Sequence, residues 1–422
     1  MRVSVIGLGK LGSPIAASIA SRGHSVVGFD VNATFLEAFR AHRAPVLETG
    51  LQELIDANKA RIRAASSAAE AVTASDLTFV VVPTPSQSDG AFTNKFVVSA
   101  CEAIGAALKD KKDFHVVAIS STMMPGSSER EIIPTLEKAS GKKAGKDFGY
   151  CYNPSLIALG SVVHDYLNPE LIMIGEGDPR SGALLESFCR SVMGEAPVIH
   201  RVAPAEAELA KLALNTYITT KISFANMLGM IADGMPGVNV DNVTKIVGSD
   251  ARVGPKYLKA GGSYGGPCFP RDNRAIARAA QLVGVSTHIP QAADATNRQR
   301  IEHVAMQVET ALARYPGGTV GIVGIAYKPD TEVADEAMGV HLVKYLRAKG
   351  VQMVVYDPHA AHTAKKIFGD SVEHADSLEA CLAASHVVAV TNPYKKAFAA
   401  LDPSHTNGKT IVDCWNVVPR LS

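Results

Sequence analysis

Nowhere does the chain carry the roughly 18 consecutive apolar residues that a membrane-spanning helix needs. The one Arg ahead of the first apolar run (MRVSVIGLGK) has the look of a short signal peptide. Glycines break that run after five residues and no small-residue cleavage pattern follows, so it reads as a first strand. No CxxC pair occurs among the six cysteines, at 101, 151, 189, 268, 381 and 414. This argues against a zinc site and against a disulfide framework. Scattered single thiols are expected to stay reduced, as in a cytoplasm. Charge of one sign is also missing: 42 Lys plus Arg face 41 Asp plus Glu, a formal net of +1. Nothing in that balance points to nucleic acid or a membrane surface as a partner, although a phosphate needs only a few local donors. Low-complexity segments and fixed-period repeats are absent as well.

What is present is a 422-residue chain with 47% hydrophobic residues, room for two or three domains at about 150 residues each. Strand-like runs at Val3–Ile6, Ser25–Phe29, Leu77–Val82 and His115–Ser120 alternate with helix-like stretches such as Ser13–Arg22 and Phe96–Leu108. That alternation, continuing to about residue 200, predicts a parallel sheet covered on both faces. Residues 205–234 contain no proline, and no glycine before Gly229, and predict one long helix; helices continue to about residue 314. A second α/β pattern follows, with strands expected at 319–327, 351–357, 386–391 and 410–415. The expected fold is α/β, in three parts. An N-terminal Rossmann-like domain spans 1–203, a central long-helix region 204–314, and a C-terminal Rossmann-like α/β domain 315–422. The long apolar-striped helix needs a partner, which suggests a homodimer.

Gly7-Leu8-Gly9-Lys10-Leu11-Gly12 directly follows the first strand and opens a helix. In such a fingerprint the first glycine permits the tight turn, the second lets the backbone approach a pyrophosphate, and the third packs helix on strand. The helix N-terminal amides then hold phosphate. Asp30 ends the second strand, 18 residues after Gly12. An acid there accepts from an adenosine ribose and repels a 2′-phosphate, favouring NAD over NADP. Gly321 and Gly324 in GIVGIAYKP look superficially alike, but no full fingerprint follows and Pro329 stops an immediate helix. A nucleotide half-site, not a second dinucleotide site, is the expectation there.

Gly265-Gly266-Pro267-Cys268-Phe269-Pro270-Arg271-Asp272 surrounds a cysteine with glycines and prolines, the mark of a rigid loop. The base-rate role of a cysteine is a small buried thiol; Cys101, Cys189, Cys381 and Cys414 are expected to play it, and Cys268 is not. Glu208, Lys211 and Asn215 lie three and four residues apart and share one helix face. Taken alone, they read as a solvated face with a Glu–Lys pair.

These pieces join with PVLETGL (45–51), STMMPGS (121–127), AELAKLALN (207–215), DARVG (250–254), GGPCFPRD (265–272), IAYKPDT (325–331) and YDP (356–358). Over nearly its whole length the chain resembles the UDP-glucose/GDP-mannose dehydrogenase family. That resemblance implies oxidation of the C6 hydroxymethyl of a nucleotide sugar, of UDP-glucose or UDP-hexosamine type, to a carboxylate with two NAD in succession. It implies Cys268 as the nucleophile that captures the C6 aldehyde, Lys211 as the oxyanion's stabiliser, Asn215 as its aid, and Asp272 and Thr122 as the groups that position or activate water. A thiolate is chemically apt, because an aldehyde has a second hydride to lose only after a nucleophile adds, and a nearby cation stabilises the oxyanion. The resemblance also sets Thr84, Thr122 and Arg271 against the cofactor. It sets Arg252, Tyr257, Gly265 and Lys328, with Lys211 and Asn215, against the substrate, Arg252 from across a dimer interface. Arg271 stands where the family has lysine, keeping charge and changing its geometry.

The chain departs from the family pattern at three places. NPEFLREG becomes Asn153-Pro154-Ser155-Leu156-Ile157-Ala158-Leu159-Gly160, without either glutamate; the second is the residue assigned as base for thioester hydrolysis. TDDxRES becomes Thr331 to Ala337 with Asp335 in place of arginine, and DxRN becomes Asp413-Cys414-Trp415-Asn416. These changes imply an altered sugar specificity. Three readings remain: a four-electron 6-dehydrogenase, a two-electron alcohol oxidation ending at the aldehyde, and a silent nucleotide-sugar binder. Two, one or no NADH per sugar separates them.

Overall fold

The computed structural model describes residues 1–418; residues 419–422, the end of the expected 315–422 segment, lie outside the described residues. The chain forms two compact units, Met1–Ala213 and Leu214–Ser422. Among the described residues no helix is long and apolar enough to cross a membrane.

In the first unit eight strands form one sheet: β1 (Arg2–Ile6), β2 (Ser25–Phe29), β3 (Ile62–Ala64), β4 (Leu77–Val80), β5 (Val116–Ile119), β6 (Gly149–Tyr152), β7 (Leu171–Glu176) and β8 (Val198–Val202). Their order is β3-β2-β1-β4-β5-β6-β7-β8. Every residue of β4 and β5 is buried, as expected when helices cover both faces of a parallel sheet. Side chains alternate between the faces: Val116 and Ala118 join one core cluster, Val117 and Ile119 the other. The sheet is parallel as expected except between β6 and β7, which pair antiparallel. The intervening residues return the chain to the end of the sheet that β6 had reached, so no crossover is needed there. Strand order reverses between β1 and β4, which opens a crevice beyond the carboxyl ends of those strands.

The long helix, Pro204–Asp233, runs 30 residues, about 45 Å. Its start and end lie within one residue of the expected 205–234. The second unit adds helices Val240–Ser249, Phe269–Leu282 and Ile289–Leu312. Its sheet has β9 (Val320–Val323), β10 (Met353–Tyr356), β11 (Glu373–His374), β12 (Val387–Val390) and β13 (Thr410–Asp413). They lie in the order β11-β10-β9-β12-β13, all parallel. Val304, Ala305 and Val308 of helix Ile289–Leu312 share one core with Ile322 of β9 and Val387 of β12, so the helical middle and the C-terminal sheet bury a common surface.

The two sheets repeat one device. A Cβ on Gly12 would lie 1.8 Å from the Gly7 carbonyl oxygen, and a Cβ on Gly339 would lie 1.9 Å from that of Gly324. Gly324 and Gly339 therefore do in the second sheet what Gly7 and Gly12 do in the first, with fourteen residues between them where the first pair has four. Gly321, by contrast, sits inside β9. The acid ending β10, Asp357, is also the counterpart of Asp30, but its carboxylate accepts from the amides of Ile325, Ala326, His359 and Ala360 and from the Tyr394 hydroxyl. That saturates it and leaves no acceptor for a ribose.

Candidate active site

The expected site residues gather into two groups, each within its own unit. In the first, Gly7 turns the chain after β1 at φ 98°, a conformation that a side chain would strain. A Cβ there would also meet the Val81 carbonyl oxygen at 2.2 Å, so both the turn and the close approach require glycine. At Gly9 the only neighbour of a Cβ is the Phe35 ring at 3.7 Å, leaving room for a ligand to approach the backbone. Leu11 precedes helix Gly12–Ser21, and Lys10 stands exposed. The half-buried Asp30 carboxylate accepts from the Leu8 amide at 2.6 Å and the Asn32 amide at 2.7 Å, which holds it beside the glycine turn. The Thr84 hydroxyl donates to the Thr122 carbonyl at 2.6 Å, tying together the segments that follow β4 and β5. The glycine turn, the anchored acid and the two threonines frame the crevice at the strand-order reversal and fit a dinucleotide.

The solvated Glu–Lys pair read from the sequence is not what the helix presents: Glu208, Lys211 and Asn215 are all buried. Both Glu208 oxygens serve the turn at residues 126–128. One accepts from the Gly126 amide, the other from the Ser128 amide at 2.9 Å and its hydroxyl at 2.6 Å. Burial raises the Glu208 carboxyl above the usual carboxylate range. Within its own unit Lys211 has neither an ion-pair nor a hydrogen-bond partner. A single helix face is thus buried because it meets polar groups, a feature that helical spacing does not reveal.

Residues 153–160 form an irregular segment in which Ser155 and Leu159 are half-buried. The acid that reaches its end is Glu48, which accepts from the Gly160 and Val162 amides at 2.9 Å each. Sequence reading gave Glu48 no role beyond its motif. Its two backbone bonds make it a structural clasp for this loop.

The second group surrounds Cys268. The segment 265–272 is only half a loop: a helix begins at Phe269, with Cys268 as its N-cap residue and Pro270 in its first turn. Proline is tolerated there because first-turn amides have no helical partner. The Asp272 amide donates to the Cys268 carbonyl at 2.8 Å. The Asp272 carboxylate, itself buried, accepts from the Asn215 side-chain amide at 2.6 Å and lies 3.7 Å from the Arg271 guanidinium. Cys268 is exposed while Cys101, Cys151, Cys189, Cys381 and Cys414 are buried. Burial pushes the Cys189 and Cys381 thiols up to about 12 and that of Cys414 to about 11, which makes them inert spectators.

Gly265 and Gly266 lie against the divergent segment 331–337. The Gly266 amide donates to the Asp335 carbonyl at 2.7 Å, and a Cβ on Gly265 would meet the Glu336 carbonyl oxygen at 2.4 Å. The replaced residue Asp335 thus borders the Cys268 loop through its backbone. Trp415, at the other divergent site, lies with its indole against Gly261 and donates to the Thr391 carbonyl at 2.8 Å. Lys328 is half-buried at the same end of the sheet. Arg252 is exposed with its guanidinium on the Asp250 carboxylate at 2.7 Å, and Tyr257 is exposed at φ 60°.

A glycine turn at the strand-order reversal of a Rossmann sheet, an anchored acid directly after β2 and an exposed cysteine capping a helix define an NAD-linked dehydrogenase with a thiol in its second unit. Models of the UDP-glucose/GDP-mannose dehydrogenase family match the chain in three consecutive regions: the NAD binding domain over residues 1–193, the central domain over 205–299 and the UDP binding domain over 321–420. The chain belongs to this family. It is 32% identical to a GDP-mannose 6-dehydrogenase of Pseudomonas savastanoi pv. phaseolicola, over 98% of this chain and 95% of that one. It is 33% identical to a UDP-glucose 6-dehydrogenase of Haloferax volcanii, over 100% and 98%. A solved UDP-glucose dehydrogenase from Pyrobaculum islandicum superposes with a TM-score of 0.90 at 35% identity, covering 99% of this chain and 94% of that one. The protein is an NAD-dependent nucleotide-sugar 6-dehydrogenase, which oxidises its substrate by four electrons to the uronate.

Proposed function

We propose that Cys268 is the covalent catalyst of this oxidation and that the substrate is a nucleotide sugar of UDP-glucose or UDP-hexosamine type. The observation that carries the first reading is the exposed Cys268 at a helix N-terminus, where negative charge is favoured. The sugar class is supported by the match of residues 321–420 to a UDP binding domain. NAD, when bound, would supply the hydride acceptor for each of two successive oxidations. After the first, the alcohol has lost its hydroxyl proton and is an aldehyde. The Cys268 thiolate adds to C6, and the carbonyl oxygen becomes an oxyanion that takes up a proton. Loss of that proton with the second hydride gives a thioester. Water adds to its carbonyl carbon, the C–S bond breaks, and carboxylate and thiolate separate.

In this scheme Lys211 stabilises the oxyanion, because a buried ammonium without a partner in its unit is ready for an anion. Asn215 holds Asp272, and Asp272 or a water held by Thr122 takes the proton of the attacking water. Gly7, Gly9, Lys10, Leu11, Gly12, Asp30, Thr84 and Arg271 bind the cofactor; Arg252, Tyr257, Gly265 and Lys328 bind the substrate. The working division is 1–203 for NAD, 204–314 for dimerisation and 315–422 for the nucleotide sugar. The homodimer is supported by an exposed stripe of Tyr217, Phe224, Met227 and Ile231 on the long helix, and a cytoplasmic location by six free cysteines. Counting NADH per sugar across a panel of nucleotide sugars tests the whole reading: two per sugar with acid as product is expected, and one with aldehyde as product overturns the thioester scheme.

A further inference from the structure

The stretch that leads into Cys268 has no regular secondary structure from Lys259 to Tyr264, yet it is almost wholly buried. Its backbone is satisfied by side chains. Asn226, on the long helix, accepts from the Gly261 amide with Oδ1 at 2.8 Å and donates with Nδ2 to the Gly262 carbonyl at 3.0 Å. Asn297, on helix Ile289–Leu312, does the same to one residue: Oδ1 accepts from the Tyr264 amide at 2.8 Å and Nδ2 donates to the Tyr264 carbonyl at 2.9 Å. Between them the buried Arg300 donates through Nε to the Gly261 carbonyl at 2.9 Å. A carboxamide offers one acceptor and two donors in a plane. It can therefore replace a neighbouring strand where none exists.

We propose that Asn226 and Asn297 are positioning residues that set the place of the Cys268 sulfur, acting through the backbone of Gly261–Tyr264. Only Gly265, Gly266 and Pro267 separate Tyr264 from Cys268, and none can absorb a displacement. Gly265 is pressed on the Glu336 carbonyl, Gly266 is bonded to Asp335 and packed on the Tyr327 ring, and proline fixes its own φ. On the other side, a Cβ on Gly261 would lie 2.4 Å from the Trp415 ring, so the strip cannot slide that way. A misplacement of about 1 Å in a reacting group can cost about 100-fold in rate. The first oxidation does not use the sulfur, whereas capture of the aldehyde does. Disturbing the two amides therefore slows the second oxidation selectively.

This proposal rests on Cys268 being the nucleophile, and the experiment separates the two. Asn226→Asp and Asn297→Asp keep the acceptor and lose the donor; Asn226→Ser and Asn297→Ser avoid a buried charge should the aspartates fail to fold. In single turnover with saturating NAD, the rate of the first NADH and the rate of acid formation are measured per NAD-binding site. The rate of Cys268 alkylation by iodoacetamide is read by peptide mass on the protein without NAD. The expected result is a first oxidation within about twofold of the parent and acid formation slower by about 10- to 100-fold, as a misplaced group implies. Aldehyde trappable by a hydrazine should accumulate, and the alkylation rate should change. Equal slowing of both oxidations, or folded variants with parental acid formation, overturns the positioning role. Acid formation by Cys268→Ser overturns the nucleophile reading instead.

Discussion

The Asn215 amide donates to the Asp272 carboxylate at 2.6 Å, joining the long helix to the first turn of the helix that Cys268 caps. One turn further along, the Thr219 hydroxyl donates to Oδ1 of the Asn273 side chain at 3.0 Å, and one turn beyond that the Ser223 hydroxyl donates to the Ala293 backbone carbonyl at 2.9 Å. With Asn226, these residues form a polar stripe down one side of the helix; Asn215, Thr219 and Asn226 grip the segment around Cys268, and Ser223 grips helix Ile289–Leu312.

Cys268→Ser should abolish net acid formation and leave NAD binding intact, since a neutral hydroxyl is a far weaker nucleophile than a thiolate. The readout is uronate by chromatography with NAD affinity by fluorescence. Parental acid production by this variant contradicts the covalent role.

Asp30 should enforce NAD over NADP. Asp30→Ala should narrow the ratio of kcat/KM between the two cofactors by about tenfold or more, because each 1.4 kcal/mol of lost discrimination is tenfold in rate ratio. Equal kcat/KM for both cofactors in the parent protein contradicts the assignment.

Thioester hydrolysis should be slow. Leu159 cannot accept a proton, and Glu48 spends both oxygens on the amides of Gly160 and Val162. A missing general base typically costs about 10²- to 10⁴-fold. A burst of NADH followed by a slow steady state is expected, with a covalent adduct at Cys268 visible by intact mass after rapid acid quench. Leu159→Glu should speed the second phase. Acid made without burst or adduct would show that another base fully replaces the missing one.

The stripe Tyr217, Phe224, Met227 and Ile231 should lie in a dimer interface. Its members are separated by seven, three and four residues and stand 37% to 61% exposed, a contiguous apolar face that water disfavours. Phe224→Glu should convert the dimer to a monomer in sedimentation at micromolar concentration; a parent protein that is already monomeric there contradicts the proposal.

The N-terminal unit should weaken in acid through His115. Its Nε2 meets the Thr78 hydroxyl at 2.7 Å and its Nδ1 the Ser75 carbonyl at 3.1 Å, and burial, with help from Lys111, pushes the imidazole down to about 3. The unfolded chain protonates its histidine below about pH 6.5 while the folded one does not. Stability is therefore fully present above that pH and is lost as pH falls toward 3, at up to about 1.4 kcal/mol per pH unit from this group. Urea unfolding followed by far-UV circular dichroism at pH 4 to 7 should show a shallower pH slope for His115→Gln; an unchanged slope removes His115 as the cause.

The local signals were legible in the chain itself. Alternating apolar runs, the Gly7–Gly12 turn with Asp30, the long helix and the glycine–proline frame of Cys268 each depend on neighbours within a few residues, and there spacing and backbone sterics suffice. The strands β3, β6, β7, β8 and β11 were not individually placed within the expected alternation, because their runs take strand character from the neighbour that supplies their hydrogen bonds. Whether Glu208 faced water or an amide turn, and whether Glu48 was free or a clasp, depended on partners 80 to 114 residues away. The same holds for Gly339 completing the turn begun at Gly324, and for two asparagines standing in for a strand beside Gly261 and Tyr264. Such pairings join groups remote in sequence, so no local pattern encodes them. Burial, which makes each unpaired polar group costly, selects them only once the chain has closed on itself.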